Sequence, residues 1–466
     1  MGTINSALSI ATGALDADQA ALNVVANNVA NANTTGYTEE KANFKENDAI
    51  TMDGVVVGDG VSETGATSQR NRVLQERLDQ QQQLESASSS RLSALDSIQN
   101  LFSVNTSSSS SGGDIGSDIT HFFNSFTSLE NEPTSTSYRA EVLSSATTLA
   151  SDISSAAQSL NEQQTSLNQD AASVASQVNA LTSSIAQLNQ EITSTSPNTD
   201  AGTLEDQRQA DISALSKLAG INQVTTENNG LEITTTSGRV LVDGNSSFDL
   251  TTGTVSGVTH FYLGTTDVTT ELASGGGQLG GYLTARDTDI PNALASLDQL
   301  AYSISTEVNT VNTAGENAYG TAGTDIFYAP TVVAGSALTM AVTMTDSGDI
   351  AAAATAEGTG DSSNATQLAK LSSTTFVNGM TPSNYYSSFV SSLGSKVSAV
   401  KTENSAEETS VSQLQTQLDT LSSVNLDDEA SSLTTMERSY QAASQTFTIL
   451  STLMEETLNM GTQTTV

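Results

Sequence analysis

The stretch of sequence that decides the fold is residues 142–192, which read VLSSATTLASDISSAAQSLNEQQTSLNQDAASVASQVNALTSSIAQLNQEI. It contains neither Gly nor Pro, and its apolar residues recur at alternating spacings of four and three. That spacing places the apolar side chains along one side of an α-helix. The stretch therefore predicts one long helix, with consecutive spacings of four at Gln163, Leu167 and Ala171 that would locally relax a supercoil.

The same heptad periodicity occurs at both ends of the chain. The N-terminal run extends from Ile4 to Val29 and is followed by the turn-forming Thr34, Thr35 and Gly36. The C-terminal run contains two interleaved series that repeat every seven residues: Leu433, Tyr440, Phe447, Met454 and Met436, Ala443, Leu450, Thr457. Matching apolar seams at the two ends predict terminal helices that pair with each other and with neighbouring subunits.

The C-terminal helix has a well-marked start. Asn425 can act as its N-cap, because a short polar side chain there accepts a hydrogen bond from a backbone amide of the first turn. Asp427, Asp428 and Glu429 crowd that first turn, where the helix dipole favours negative charge. The sequence thus predicts that the helix begins directly after Asn425.

Two further heptad runs predict helices in the second half of the chain. They extend over residues 290–311 and 386–421, and the second run is interrupted at Asn404 and Glu407. A Ser and Gly tract at residues 107–113 is typical of a flexible connector between helices.

The periodicity changes between Ile221 and about Leu272. Short apolar runs there are separated by turn-forming residues at 228–230, 237–238 and 243–244. Turns of this kind between short alternating runs are typical of β-hairpins. The sequence therefore predicts a mainly α fold with a β insertion. Paired N- and C-terminal coiled-coil helices form an elongated antiparallel helical rod, and a small β domain projects from it.

The predicted domain organisation has three parts. Residues 1–50 and 410–466 form a terminal coiled-coil assembly domain. Residues 51–220 and 283–409 form a helical rod domain, and residues 221–282 form a β-rich outer domain.

Composition excludes several functional classes. The chain has 466 residues, and its 52 Asp and Glu against 15 Lys and Arg give a formal charge of −37. That charge repels nucleic-acid phosphates and anionic lipid headgroups, so we expect no nucleic-acid binding and no membrane insertion. The absence of cysteine excludes a disulfide framework, a thiolate zinc site and a cysteine nucleophile. No basic residue or unbroken apolar run precedes Lys41, so we expect either a cytoplasmic protein or export by a dedicated route.

Motifs for catalysis or ligand binding are weak in this sequence. His121 and His260 lie far apart without a nearby ligand pair, and no His-Glu-x-x-His zinc motif is present. Residues 275–280 satisfy the G-x-G-x-x-G pattern, but no apolar strand precedes them. Residues from Asp53 to Gly60 lack the alternating carboxylates and closing Glu of a calcium loop, and a turn between short strands explains them better. We therefore expect no enzyme activity, cofactor or metal site.

Several stretches carry a resemblance to a known family. Residues 25–38 read VANNVANANTTGYT, which resembles the N-terminal signature of flagellar rod, hook and hook-associated proteins. Residues 423–430 read SVNLDDEA, and with YQA at 440–442 and LNM at 458–460 they resemble the closing motif of the FlgK-type hook-associated family. Interior stretches that agree with this family are 206–208, 279–283, 315–327, 346–352 and 360–368.

Three features differ from the family pattern. Thr38, Glu39 and Glu40 stand where the family often has Ser-Arg after the Gly-Tyr pair, so a basic contact with neighbouring subunits is not carried over. Only a few residues lie between Pro330 and Met340, where many members have a further outer domain, so we expect one outer domain fewer. The charge of −37 is also high for the family.

The resemblance implies a structural axial component of the bacterial flagellum that forms the junction between hook and filament. It also implies export by the flagellar type III system and location outside the cell. The implied partners are further copies of the chain in a ring-like homo-oligomer, the hook protein, the second hook-filament junction protein and the filament cap. An export chaperone of the FlgN type would hold the seam from Leu426 to Leu458.

Two other classes of function remain as alternatives. The first is another axial subunit, such as the hook protein, the second junction protein or a flagellin-like subunit. Seams at both termini together with residues 423–430 favour the junction protein over these. The second is a secreted hydrolase, which would need a nucleophile and a base that two isolated histidines do not supply.

Seam positions and signature residues together form the candidate assembly interface. We expect both termini to be mobile in the free chain and to become helical on pairing, because ordering the backbone costs more than burying the seam gains. The candidate residues are Leu8, Leu15, Leu22, Asn27, Asn28, Val29, Asn31, Gly36, Tyr37, Leu426, Leu433, Tyr440, Phe447, Leu450, Met454 and Leu458.

Overall fold

The computed structural model describes residues 2–34, 36–52, 55–102, 114–195, 200–255 and 257–463. The Ser and Gly tract at 107–113, expected to be a connector, lies outside these residues. So do Asp53 and Gly54 of the segment weighed as a calcium loop.

Contacts between residues divide the chain into two units. The first unit contains Met1–Gln83, Val178–Asp249 and Glu408–Val466. The second unit contains Leu84–Gln177 and Leu250–Glu407.

Helices dominate the described residues. They are α1 (Gly2–Asn31), α2 (Arg72–Phe102), α3 (Ile115–Asn131), α4 (Thr136–Thr195), α5 (Thr203–Leu218), α6 (Thr269–Gly275), α7 (Gly277–Thr284), α8 (Ile290–Ala314), α9 (Ser336–Thr339), α10 (Ser363–Lys370), α11 (Pro382–Ser422) and α12 (Leu426–Gln463). The length of α4, 60 residues, confirms the long helix predicted from residues 142–192.

Short strands form small antiparallel sheets. The strands are β1 (Glu40–Glu46), β2 (Ile50–Met52), β3 (Val55–Val57), β4 (Val61–Ser68), β5 (Ile221–Thr225), β6 (Leu231–Thr235), β7 (Val240–Asp243), β8 (Ser246–Ser247), β9 (Leu250–Val255), β10 (Val258–Leu263), β11 (Thr266–Asp267), β12 (Gly315–Glu316) and β13 (Ala353–Ala354). The sheet orders are β1-β4, β2-β3, β5-β6-β7-β8, β11-β10-β9 and β12-β13.

In the first unit, α1 packs against α12 and against β1 and β4. A Cβ atom added at Gly13 would lie 3.0 Å from the carbonyl oxygen of Val61, so glycine permits the close approach of α1 to β4. The two ends of the chain are thereby joined within one unit.

A buried carboxylate holds α2, α5 and β5 of the first unit together. Asp79 of α2 is 1% exposed and accepts hydrogen bonds from Ser213 (2.7 Å), Gln209 (2.8 Å), Gln223 (2.8 Å) and Gln75 (3.2 Å). Neutral donors therefore satisfy a charge that lies away from water.

The core of the second unit contains contributions from α2, α3, α4, α8, α10 and α11. Phe122 is fully buried in it, with ring centroids 5.3 Å from Phe126 and 5.4 Å from Phe327. Phe102 and Phe389 meet edge to face at 4.9 Å. The contacts of Phe122 with Phe327 and of Phe102 with Phe389 join rings distant in sequence and so help to fix how the elements of this unit pack.

The predicted mainly α fold with a β insertion is confirmed. The terminal helices α1 and α12 pair, and α8 and α11 cover the two later heptad runs, with Asn404 and Glu407 inside an unbroken helix. The predicted turns separate β5, β6, β7 and β8. Residues 275–280 lie where α6 ends and α7 begins, so their glycines follow a helix rather than the strand of a dinucleotide site.

The β1–β4 pair was not predicted from the sequence. Glu40 pairs with Ser68 and Glu46 with Val61, yet β1 reads EKANFKE and shows no alternation of apolar and polar residues. Its position against α1, rather than its own pattern, explains why it is a strand.

A raised carboxyl pKa in α3 predicts pH-dependent stability of the second unit. Burial, and then the neighbouring Asp152 carboxyl, raises the pKa of Asp118 from 3.8 to about 7. Because the folded-state pKa lies above its ordinary value, ionised Asp118 costs stability, and that cost grows as the pH rises from about 4 to about 7. We expect Asp118→Asn to raise the free energy of unfolding at pH 8 by roughly 1–2 kcal/mol, after discounting for solvent screening, and to change it little at pH 4.

Urea unfolding followed by circular dichroism at both pH values would measure this difference. Asp170→Asn is the matched control, because Asp170 is exposed on α4. Equal stabilisation by Asp118→Asn at pH 4 and pH 8 would contradict the proposed cost of ionisation.

Candidate assembly interface of the terminal helices

One buried amide joins the two ends of the chain. Asn28 of α1 is 1% exposed, and its Nδ2 donates to Glu429 Oε1 of α12 and to the carbonyl oxygen of Glu40, both at 2.8 Å. Its Oδ1 accepts from the backbone N–H of Glu40 at 3.0 Å and from the hydroxyl of Tyr37 at 2.9 Å. All the hydrogen-bonding capacity of the amide is thus used, across α1, β1, α12 and the turn after α1.

The turn after α1 is held by the other asparagines of the signature. Asn31 donates to Asn27 Oδ1 at 2.9 Å and accepts from the Thr34 hydroxyl at 3.2 Å. Asn27 in turn donates to the Tyr37 hydroxyl at 3.2 Å. Gly36 has φ +83°, a left-handed conformation that would be strained for a residue with a side chain. The Asn, Gly and Tyr residues of the signature therefore form one local structure.

The start of α12 is as predicted. Asn425 Oδ1 accepts from the backbone N–H of Asp427 at 3.1 Å, which confirms the N-cap. Asp427 and Asp428 are exposed, whereas Glu429 is 6% exposed and reaches Asn28. One of the three carboxylates of the first turn thus contacts α1.

A network of charged side chains supports the segment that follows the turn. Asp206 of α5 accepts from the backbone N–H of Thr38 at 3.1 Å and from its hydroxyl at 3.0 Å. Arg70 pairs with both Asp206 and Glu205, and Arg72 lies 2.8 Å from Glu205. Asp206, itself paired with Arg70, thereby holds Thr38 directly after the Gly36–Tyr37 turn.

Burial also changes the protonation equilibria around Asn28. It raises the pKa of the Glu429 carboxyl, while the hydrogen bond from Asn28 acts in the opposite direction. Burial, and then the Asp206 carboxylate, raises the pKa of Glu40. Burial and the Glu40 carboxylate raise the pKa of the Tyr37 hydroxyl, so this hydroxyl stays protonated and can donate to Asn28.

The structure places the predicted interface residues in three groups. One of them, Asn28, is buried. The half-buried residues are Leu8, Leu15, Leu22, Asn31, Tyr37, Leu433, Phe447, Leu450 and Met454. The exposed residues are Asn27, Val29, Gly36, Leu426, Tyr440 and Leu458.

Helix α12 keeps a large part of its apolar surface exposed. Among its residues 426–460, Glu429 alone is buried. Ile449 is 61% exposed and Leu453 is 45% exposed, and neither belongs to the two heptad series. The pairing of α1 with α12 therefore leaves apolar area accessible for a further partner.

Sequence reasoning missed several residues of this site. The helix dipole explains a carboxylate at Glu429 from sequence alone, yet its side chain contacts Asn28, 401 positions away in sequence. Nothing in the sequence links Thr38 to Asp206, although the structure joins them by a hydrogen bond. Arg70 carried no signal of its own, since a lone arginine before a helix predicts no partner.

The described residues offer little for ligand chemistry. Within them no group of three or more His, Cys, Asp or Glu is arranged to hold a metal ion. His121 is exposed, and His260 Nδ1 lies 2.6 Å from Asp267 Oδ2 at the surface of a small sheet. No helix among these residues is both long and apolar enough to cross a membrane.

Comparison with known proteins first gives the class. Residues 8–38, which contain Asn28, match the sequence model of the family described as "Flagella basal body rod protein". The N-terminal part of the site is therefore similar in sequence to structural proteins of the flagellum, which gives the class. Residues 95–327, half of the chain, match the family described as "Flagellar hook-associated protein FlgK helical domain". The chain belongs to this FlgK family of flagellar hook-associated proteins, which are structural proteins rather than enzymes.

Individual relatives agree with this membership. The protein named "Flagellar hook-associated protein 1" of Bacillus subtilis is 26% identical over 97% of this chain and 97% of its own length. The protein of the same name from Escherichia coli is 26% identical over 70% of this chain. The chain spans about 60% of the length of the Escherichia coli and Salmonella relatives that it matches.

A solved structure shows the same fold. The flagellar hook junction protein FlgK from Burkholderia pseudomallei matches with a TM-score of 0.66 and 19% identity. The match covers 75% of this chain and all of that structure.

Replacement of the buried amide by a carboxylate tests its role as the link between the chain ends. Asn28→Asp keeps the acceptors for Tyr37 and the Glu40 N–H but removes both donors and places a second carboxylate beside Glu429. We expect this substitution to lower the amide-exchange protection of residues 25–31 and 426–432 by about ten-fold or more.

Two further variants make this test specific. Asn23→Asp adds the same charge at an exposed position of α1 and should leave the protection unchanged. Glu429→Gln, added to Asn28→Asp, supplies an amide donor to the new carboxylate and should restore part of the protection. An equal loss in Asn28→Asp and Asn23→Asp would show that charge on α1, rather than the lost hydrogen bonds, causes the effect.

Proposed function

We propose that this chain forms the junction between the hook and the filament of a bacterial flagellum. The observation that carries the proposal is the terminal helix pair, because α12 is tied to α1 through Asn28 yet exposes Ile449 and Leu453. An apolar surface on a structural element that is already paired fits assembly with further subunits. Membership of the FlgK family supports the hook–filament junction as the place of that assembly.

The same proposal includes the route and the partners. The chain is exported by the flagellar type III system and assembles beneath the filament cap into a ring of identical subunits. The ring contacts the hook protein on one side and the second junction protein on the other. Before export, a chaperone of the FlgN type covers the seam of α12 from Leu426 to Leu458, whose exposed apolar side chains would otherwise favour premature association.

The terminal helices have little burial of their own to stabilise them in the free chain. In α1 the fully buried apolar residues are mainly alanines, Ala11, Ala17 and Ala21, and the larger leucines stay half-buried. Such small side chains offset only a small part of the entropy lost on ordering a helix. Assembly would bury the remaining leucines and so complete the folding of both ends.

Hydrogen exchange distinguishes a free from an assembled terminus. In the purified, unassembled chain we expect weak protection of amides 4–24 and stronger protection near Asn28, where the hydrogen-bonded contact with Glu429 holds α1. In isolated flagella the whole of α1 should be strongly protected. Strong protection of residues 4–24 in the free chain would refute folding on assembly.

Deletion of the gene tests the junction function itself. We expect the cells to make hooks without filaments and to lose flagellin monomers to the medium, as electron microscopy and an assay of the spent medium would show. Normal filaments in the absence of a paralogue would contradict the junction function. Shortened or absent hooks would instead assign the chain to the hook or the rod.

A further inference from the structure

The second unit carries a cluster of exposed apolar side chains on the segment before and within α9. Tyr328, Val332, Val333 and Leu338 are 50%, 63%, 36% and 48% exposed. Single exposed apolar side chains are common on protein surfaces, whereas a cluster within one short segment marks a contact surface. We call these residues the 328–338 patch.

The segment that carries the patch also lacks charged side chains, in a chain that is otherwise rich in carboxylates. Residues 326–345 contain no Asp, Glu, Lys, Arg or His, although the formal charge of the chain is −37. A groove of about 540 Å³ lies between Leu338 and the polar side chains of α4 from Gln158 to Gln169. Glu162 is the one charged residue that lines this groove. The patch and the groove together form a nearly uncharged surface.

Backbone hydrogen bonds hold the patch in a fixed conformation. The carboxylate of Asp298 in α8 accepts from the backbone N–H of Gly335 at 2.8 Å and of Ala337 at 2.9 Å. The N–H of Tyr328 donates to the carbonyl oxygen of Ala341 at 2.8 Å, and Ala337 is fully buried. Because the segment is already ordered, a partner would not have to supply the free energy of ordering it.

From these observations we propose that the 328–338 patch is a contact surface for a second copy of this chain. Two copies that each carry −37 repel each other wherever carboxylates face each other, so they approach at least cost where both surfaces are uncharged. A basic partner would instead be attracted to carboxylates, which the patch lacks. This inference rests on the ring assembly proposed above and adds a contact outside the terminal helices.

Site-specific photo-crosslinking identifies the occupant of the patch. Val332 is replaced by the photoreactive amino acid p-benzoyl-phenylalanine in the full chain, which is expressed in cells that lack the unmodified protein, and isolated flagella are irradiated. We expect a product of twice the 48.1 kDa chain mass that yields peptides of this chain alone. The same amino acid at Ser391, exposed on α11, should give about ten-fold less of this product.

The outcomes distinguish failure of the contact at the 328–338 patch from failure of the proposed junction function. A product that contains a different protein, or no product above the Ser391 level, overturns the contact between copies even when the chain is present in the flagella. Absence of the chain from isolated flagella overturns both this contact and the junction function.

Added charge gives a second, independent readout. Val332→Asp combined with Leu338→Asp places carboxylates in the patch and should reduce the amount of chain per isolated hook by about ten-fold. Ser391→Asp combined with Ser398→Asp adds the same charge on exposed positions of α11 and should leave that amount near the unmodified level. Circular dichroism would show whether each variant retains the helical fold. Unchanged incorporation of the folded patch variant would contradict the proposal.

Discussion

The joined ends of the chain depend on the hydrogen bonding of the Asn28 side chain. A carboxamide presents two hydrogens and an oxygen with two lone pairs, and in this fold Glu429, Tyr37 and both backbone groups of Glu40 use all four. Aspartate at this position would have nothing to donate, and leucine would leave a buried carboxylate and a buried peptide group unsatisfied. Asn28 is therefore required because its side chain satisfies buried polar groups, and not because asparagine favours a helix.

Charge imposes the second constraint on this molecule. Several of the few cationic side chains are buried: Arg139, Arg208 and Arg286 are 2%, 8% and 1% exposed. Most of the carboxylates consequently have no cation to neutralise them at the surface. Copies of the chain therefore repel each other wherever carboxylates face each other. The contacts between copies proposed above would cost least on apolar, uncharged surface.

Local periodicity made the helices predictable, whereas contacts between different segments could not be predicted. The heptads of residues 142–192 fixed α4, and Asn425 fixed the start of α12, because both signals lie within one helix. The strand β1 depends on its pairing with β4 and its packing against α1, and Asn28 pairs with Glu429, 401 positions away in sequence. Neither contact produces a periodic signal in a single sequence. In the candidate interface, the heptad spacing of apolar residues predicted the seam. Glu429 is not part of that repeat, so the spacing did not predict its contact.

The burial of Asn28 also determines which residues of the N-terminal signature are accessible to a neighbouring subunit. Because Asn28 is buried against Glu429 of the same chain, it is not available to a neighbouring subunit, whereas Asn27, Val29 and Gly36 are exposed beside it. The signature thus combines an internal part, which joins α1 to α12, with an external part that remains accessible. Because the Asn28–Glu429 contact already joins the two helices at one end, each incoming subunit would present its two termini tethered to each other. The ordering cost of assembly is then lower than for two independent termini.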